Sequence, residues 1–187
     1  MKNLDKSIAR IAVKLDEMEK RQDSVIVLSR EFIRDCANAI KHLHTGELAK
    51  ANALAKEIDA KAKKLSQIKA GFEGTAAQAF QEYVEVKALL AILEKKPLPD
   101  FEKLGVDYRQ FLSGLADVVG ELRRAMLIAL KHKDRKGAEY LFDCMEKIYD
   151  NLMVLKYSSS LVGALKSKQD MIRAQVEKAR SELLEIH

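Results

Sequence analysis

The sequence predicts an all-α fold, a bundle of six to seven helices led by a very long first helix. Three observations predict it. From Leu4 to Leu43 there is no Gly and no Pro, and apolar residues recur at alternating intervals of three and four. The 187 residues include only 8 Gly and 2 Pro, too few turn formers for a sandwich or barrel of many short strands. Hydrophobic residues make up 48% and charged residues 33%, enough to bury a sizeable core and to solvate the outer helix faces. No strand-like alternation of useful length and no internal repeat is visible, and residues 1–187 read as one domain.

The first helix carries its apolar stripe at positions 4, 8, 11, 15, 18, 25, 32, 36, 39 and 43. Gln22 and Ser29 are polar gaps in it, the second partly covered by Leu28. At a rise of 1.5 Å per residue, about 40 residues make a rod of roughly 60 Å, which must pack along its length against helices of this chain or of a partner. Thr45-Gly46 marks a turn. A second helix, rich in Ala and Lys, runs from Glu47 to about Ile68 and ends before Gly71 and Gly74. A third runs from about Thr75 to Glu94. Both prolines fall in Lys96-Pro97-Leu98-Pro99-Asp100, an extended connector that Leu98 and Phe101 pin to the body. Asp107 caps a fourth helix to about Lys131, and Asp134 caps a fifth to about Lys156. Ser158-Ser159-Ser160 reads as a loop, followed by a last helix to the end.

The formal net charge is +5, and all of it lies in the first 70 residues, where 15 basic residues face 10 acidic ones. The remainder holds 18 of each. The densest basic run is Lys61-Ala62-Lys63-Lys64, followed by Lys69. A second is Lys131-His132-Lys133-Asp134-Arg135-Lys136. Such runs are either solvated helix faces or a surface for phosphates. The two cysteines, Cys36 and Cys144, match no metal or redox spacing and read as buried thiols in a reducing compartment. The charged N-terminal stretch has no signal-peptide core, and no apolar run approaches the ~20 residues that cross a bilayer. The expectation is a cytoplasmic protein with no membrane partner.

The informative chemistry lies on the third and fourth helices. Val86 to Leu93 is apolar apart from Lys87, and Glu82 and Glu85 share one face of the same helix. The fourth helix is apolar except for the stripe Ser113, Gly114, Asp117, Glu121 and Arg124. An ionised carboxylate is costly to bury unpaired, so these four acids require a partner. One reading pairs them with Arg123, Arg124 and Lys87. The other converges them on a divalent cation, where all-oxygen ligation favours Mg²⁺ or Mn²⁺. A di-iron bundle site would need Glu-x-x-His on two helices, and none of the four histidines has a Glu three residues before it. His42 and His44 end the first helix and read as capping or surface residues, with phosphate contact as the alternative. There is no phosphate-binding glycine loop and no Gly-x-Ser-x-Gly.

Gln81-Glu82-Tyr83-Val84-Glu85, followed by Gly114-Leu115-Ala116-Asp117-Val118-Val119-Gly120-Glu121-Leu122-Arg123-Arg124, resembles the paired signature of the translin family, closest to its translin-associated factor X (Trax) branch. Ser29 to Arg34, Ile40 to His44, Ala70-Gly71-Phe72, Tyr149 to Leu152 and Leu165 to Asp170 resemble the family on both sides. The resemblance implies a helical protomer that assembles into a hollow, barrel-like octamer. It also implies binding of single-stranded or short structured RNA and of single-stranded DNA. For the Trax branch it implies Mg²⁺-dependent endoribonuclease activity inside the barrel, with the catalytic acids at Glu82, Glu85 and Asp117 and Glu121 as a fourth acid of the metal site. Glu85 and Asp117 are then the main ligands, with Glu82 completing the site or orienting water. The expected nucleic-acid contacts are Lys61, Lys63, Lys64, Lys69, Arg123 and Arg124, in a homo-oligomer that both binds and cuts. The rival readings are a non-catalytic nucleic-acid-binding module and a helical scaffold.

Overall fold

A computed structural model describes residues 2–185. It is all helical among those residues. Six long helices are joined by short turns, and two single-turn helices bring the count of described helices to eight. The helices are α1 (Lys2–His44), α2 (Leu48–Ile68), α3 (Glu73–Leu93), α4 (Phe101–Leu104), α5 (Tyr108–Lys131), α6 (Arg135–Met153), α7 (Ser159–Val162) and α8 (Leu165–Glu185).

Helix starts follow local chemistry. The side chain of Asp107 accepts from the Arg109 N–H at 2.9 Å and opens α5. Asp134 accepts from the Gly137 N–H at 2.9 Å and opens α6. Asp100 accepts from the Lys103 N–H at 2.7 Å, which starts the short α4 after the proline connector. Gly46, at φ 74°, turns the chain from α1 into an antiparallel α2. Two expectations shift here. The fifth long-helix segment stops at Met153 rather than near Lys156, and the serine stretch expected to be a loop opens the single turn α7. In the connector, the Phe101 ring lies 6.1 Å from that of Phe111, while Leu98 stays 44% exposed at the lip of an apolar groove.

The long helices form a succession of neighbours. α1 packs on α2 and α3, α3 on α5, and α5 on both α6 and α8. One continuous core runs through them, with Phe32, Ile58, Leu89, Leu122, Met126, Met145 and Ile172 among its fully buried side chains. The Phe32 ring meets Phe80 edge-on at 6.1 Å and ties α1 to α3. Of the thiols, Cys36 is buried in this core, but Cys144 is only partly covered.

The long first helix is as long as expected, but this chain covers only part of it. Its stripe is buried from Val25 to Leu43. Above that the same stripe is bare, with Leu4, Ile8, Ile11, Leu15 and Met18 between 38% and 57% exposed. The bundle ends where the Arg21 guanidinium donates to the Ala70 carbonyl at 2.9 Å and lies over the Phe72 ring. The rod therefore packs along only its C-terminal half, and the rest projects as an arm of about 30 Å.

Candidate functional site

The apolar composition that buries α3 on most sides also carries Glu82 and Glu85 into the bundle. α3 and α5 meet closely at Gly114. A Cβ there would lie 2.6 Å from the Gln81 carbonyl oxygen and 2.7 Å from Val84 Cβ. This contact faces Glu82 and Glu85 of α3 towards Asp117 and Glu121 of α5. Together with Ala37 and Ile40 of α1, Gly120 and Arg124 of α5, and Met171 and Gln175 of α8, they line a cavity of about 480 Å³. The four acids picked out in the sequence thus come together.

Their environments differ. Glu85 is 8% exposed and has no hydrogen-bond or ion-pair partner among the described residues. Burial, reinforced by the negative charges of Glu82, Asp117 and Glu121, pushes its carboxyl up to about 8. Burial and then the charge of Asp117 also raise Glu82, which is half-buried, against the opposing influence of the Gln78 amide. Asp117 accepts from the Gln81 amide and pairs with the Lys168 ammonium of α8. Glu121 accepts from the Nε2–H of His44, and that bond, with Arg124 at 3.8 Å, holds its carboxyl below the usual range. The other ring nitrogen of His44, Nδ1, is buried and has no hydrogen-bond partner among the described residues. Among the described residues no three His, Cys, Asp or Glu groups converge at ligand spacing as they stand. Asp117 and Glu121 are drawn instead to cationic and hydrogen-bonding side chains of the chain itself.

Several expected pairings fall elsewhere. Lys87 faces away from the acids and bonds Asp59 at 3.0 Å, on the side of α3 where Tyr83 also donates to Asp59 at 2.7 Å. Arg123 is fixed to Glu182 of α8, its Nε at 2.9 Å. Of these three expected partners only Arg124 pairs with one of the four acids, Glu121, loosely at 3.8 Å. Nor do the expected nucleic-acid contacts gather at the cavity. Lys61 is half-buried and paired with Asp35. The Lys69 ammonium lies 4.4 Å from the centre of the Phe80 ring. Lys63 and Lys64 are exposed on α2 and line other depressions. Arg124, exposed, is the one of the six that lines the acidic cavity.

Two residues escaped the sequence reading. His44 is not a surface cap, since its side chain is only 3% exposed and bonds Glu121 across 77 residues of sequence. Lys168 sits on a strongly charged helix, where one more lysine looks like a solvated position.

No described helix is long and apolar enough to cross a membrane. The chain is 34% identical to an uncharacterized protein of Methanocaldococcus jannaschii over 167 residues, covering 87% of this chain and 75% of that protein. It is similar in structure to AfC3PO in complex with duplex RNA (TM-score 0.86, 29% identity, 96% of each chain) and to AfC3PO alone (TM-score 0.85, 30% identity, 96% of each chain). It shares the fold of apo-NeC3PO at 20% identity, with a TM-score of 0.88 over 96% of this chain and 97% of that one. The model of the translin family matches residues 1–186, and the chain belongs to that family.

Proposed function

We propose that this protein is a Mg²⁺-dependent endoribonuclease of the Trax type, which binds and cuts single-stranded or short structured RNA as a homo-oligomer. The observation that carries the reading is Glu85. A glutamate only 8% exposed, without a partner among the described residues and facing three other acids across the cavity, is costly to ionise unless a cation offsets it. An all-carboxylate set suits a hard divalent cation, Mg²⁺ or Mn²⁺, and Glu82, Glu85 and Asp117 would hold it. Such a cation, when bound, polarises a phosphoryl oxygen and lowers the pKa of bound water. The chain's own residues do the rest. His44 orients Glu121 through its Nε2–H, the Gln81 amide orients Asp117, and Arg124 at the cavity edge offers its guanidinium to a backbone phosphate.

The similarity to AfC3PO, solved with duplex RNA, supports RNA as the ligand and short structured RNA among its forms. Single-stranded DNA belongs to the same proposal, through the exposed Lys63, Lys64 and Arg124. The bare stripe of the α1 arm supports assembly of several copies, which we propose to be an octamer.

The test is cleavage of labelled RNA by purified protein with Mg²⁺ or with EDTA. Wild type is compared with Glu85→Gln and Asp117→Asn, both checked for helical content and melting. Loss of cleavage in EDTA and in both variants is expected. Folded variants that cleave as wild type does would overturn the reading. Metal-independent retention of RNA with no cleavage would instead establish the binding-only alternative, with a steep salt dependence.

A further inference from the structure

We infer that Lys168 is a resident counter-ion of the acidic cavity, which a divalent cation must displace from Asp117 in order to bind. The inference rests on the cation site proposed above and goes beyond it.

Three features of the structure carry it. The Lys168 ammonium pairs directly with an Asp117 carboxylate oxygen, and its side chain is only 22% exposed. Among the described lysines and arginines it alone is so placed: Arg123 is turned to Glu182, Lys87 to Asp59, and Arg124 meets Glu121 at 3.8 Å from an exposed position. Glu85, in contrast, has no partner among the described residues, so of the two main ligands proposed above, one on each facing helix, Asp117 is satisfied and Glu85 is not. A dication held by Asp117 would compete for the carboxylate oxygen that Lys168 now occupies, the other oxygen accepting from the Gln81 amide, and a neighbouring ammonium would repel it. Lys168 comes from α8, not from either acid-bearing helix, and its four-carbon stem lets the ammonium swing away without moving α3 or α5.

The sign of the effect distinguishes this from a merely structural ion pair. If Lys168 only supports the fold, its loss leaves cation affinity unchanged or weaker. If it occupies the cation's place, its loss strengthens affinity.

The test is Mn²⁺ titration of the full chain, read by the electron paramagnetic resonance of free Mn²⁺ and by calorimetry. Wild type is compared with Lys168→Gln and Lys168→Arg, with Glu85→Gln as the control that identifies the site. Lys168→Gln is expected to bind Mn²⁺ about tenfold more tightly or better, and Lys168→Arg to stay near wild type because it keeps the charge. Binding seen in Lys168→Gln but too weak to detect in wild type supports the assignment equally. Unchanged or weaker binding by Lys168→Gln overturns it and leaves the cation site standing. No Mn²⁺ binding by any form would overturn both. A second measurement needs no variant. The amine of Lys168 in wild type should become more reactive towards an acylating reagent when Mg²⁺ is added, as read by peptide mass spectrometry. Unchanged reactivity at saturating Mg²⁺ counts against displacement.

Discussion

An unperturbed glutamate releases its proton near 4.5, whereas Glu85 in the folded chain holds its proton up to about 8. Between those values the folded state binds more protons than the unfolded one, so stability is full below about 4.5 and drains as pH rises towards 8. Glu82, raised for the same reasons, adds to the same slope. Without divalent cations, the melting temperature should therefore fall between pH 5 and 8.5. Glu85→Gln should remove much of that fall, gaining on the order of a few kcal/mol over wild type at the alkaline end. Mg²⁺ bound as proposed would reverse the preference by favouring the ionised carboxylates, so its stabilising effect should be greater at pH 8 than at pH 5.5. Thermal melts across pH with Mg²⁺ or EDTA check both, and a wild-type slope identical to that of Glu85→Gln would refute the assignment. The acids were legible in the sequence because charge on an apolar stripe is conspicuous. Lys168 and His44 were not, because their partners lie 51 and 77 residues away and neither interrupts a pattern on its own helix.

Elements were legible where local chemistry fixes them. Asp107 and Asp134 open α5 and α6 where the sequence places them, since a carboxylate that takes an orphan N–H is a local event. The end of α6 has no such local marker: it stops at Met153, three residues before the expected Lys156, where the distant Gln169 amide donates to the Leu152 and Leu155 carbonyls. The close approach of α3 to α5 was also invisible, because Gly114 could equally have been a neutral gap in the stripe. It sets the distance between the two acid-bearing helices. Gly114→Ala should force them apart or bend them, at a cost of about 1–3 kcal/mol. It should weaken Mn²⁺ binding together with stability, whereas Gly120→Ala, with open space around its Cβ position, should be nearly silent in stability. Chemical denaturation alongside Mn²⁺ titration measures both. Equal stability losses at the two glycines would show that the α3–α5 contact is not what the close approach implies.

At the scale of the whole molecule, the helical bundle was legible from periodicity, but which part of the long stripe this chain would cover was not. Periodicity says that a face is apolar, and only the three-dimensional course of α2 and α3 says where the cover ends. Replacing stripe residues in the arm should therefore spare the bundle and dissolve the proposed assembly. Ile8→Glu with Leu15→Glu should shift the mass in sedimentation or light scattering towards the 21.1 kDa of one chain, with little change in the main melting transition. A mass equal to that of wild type would rule out the arm as an assembly surface. A stripe that is dry in one half and wet in the other would also make the proposed assembly sensitive to dilution. Any property that belongs to the assembled form then obeys mass action, so the proposed activity per chain should depend on protein concentration. Assays at nanomolar and at micromolar protein would report on two different populations, and a dilution series is the first control that any measurement of cleavage requires.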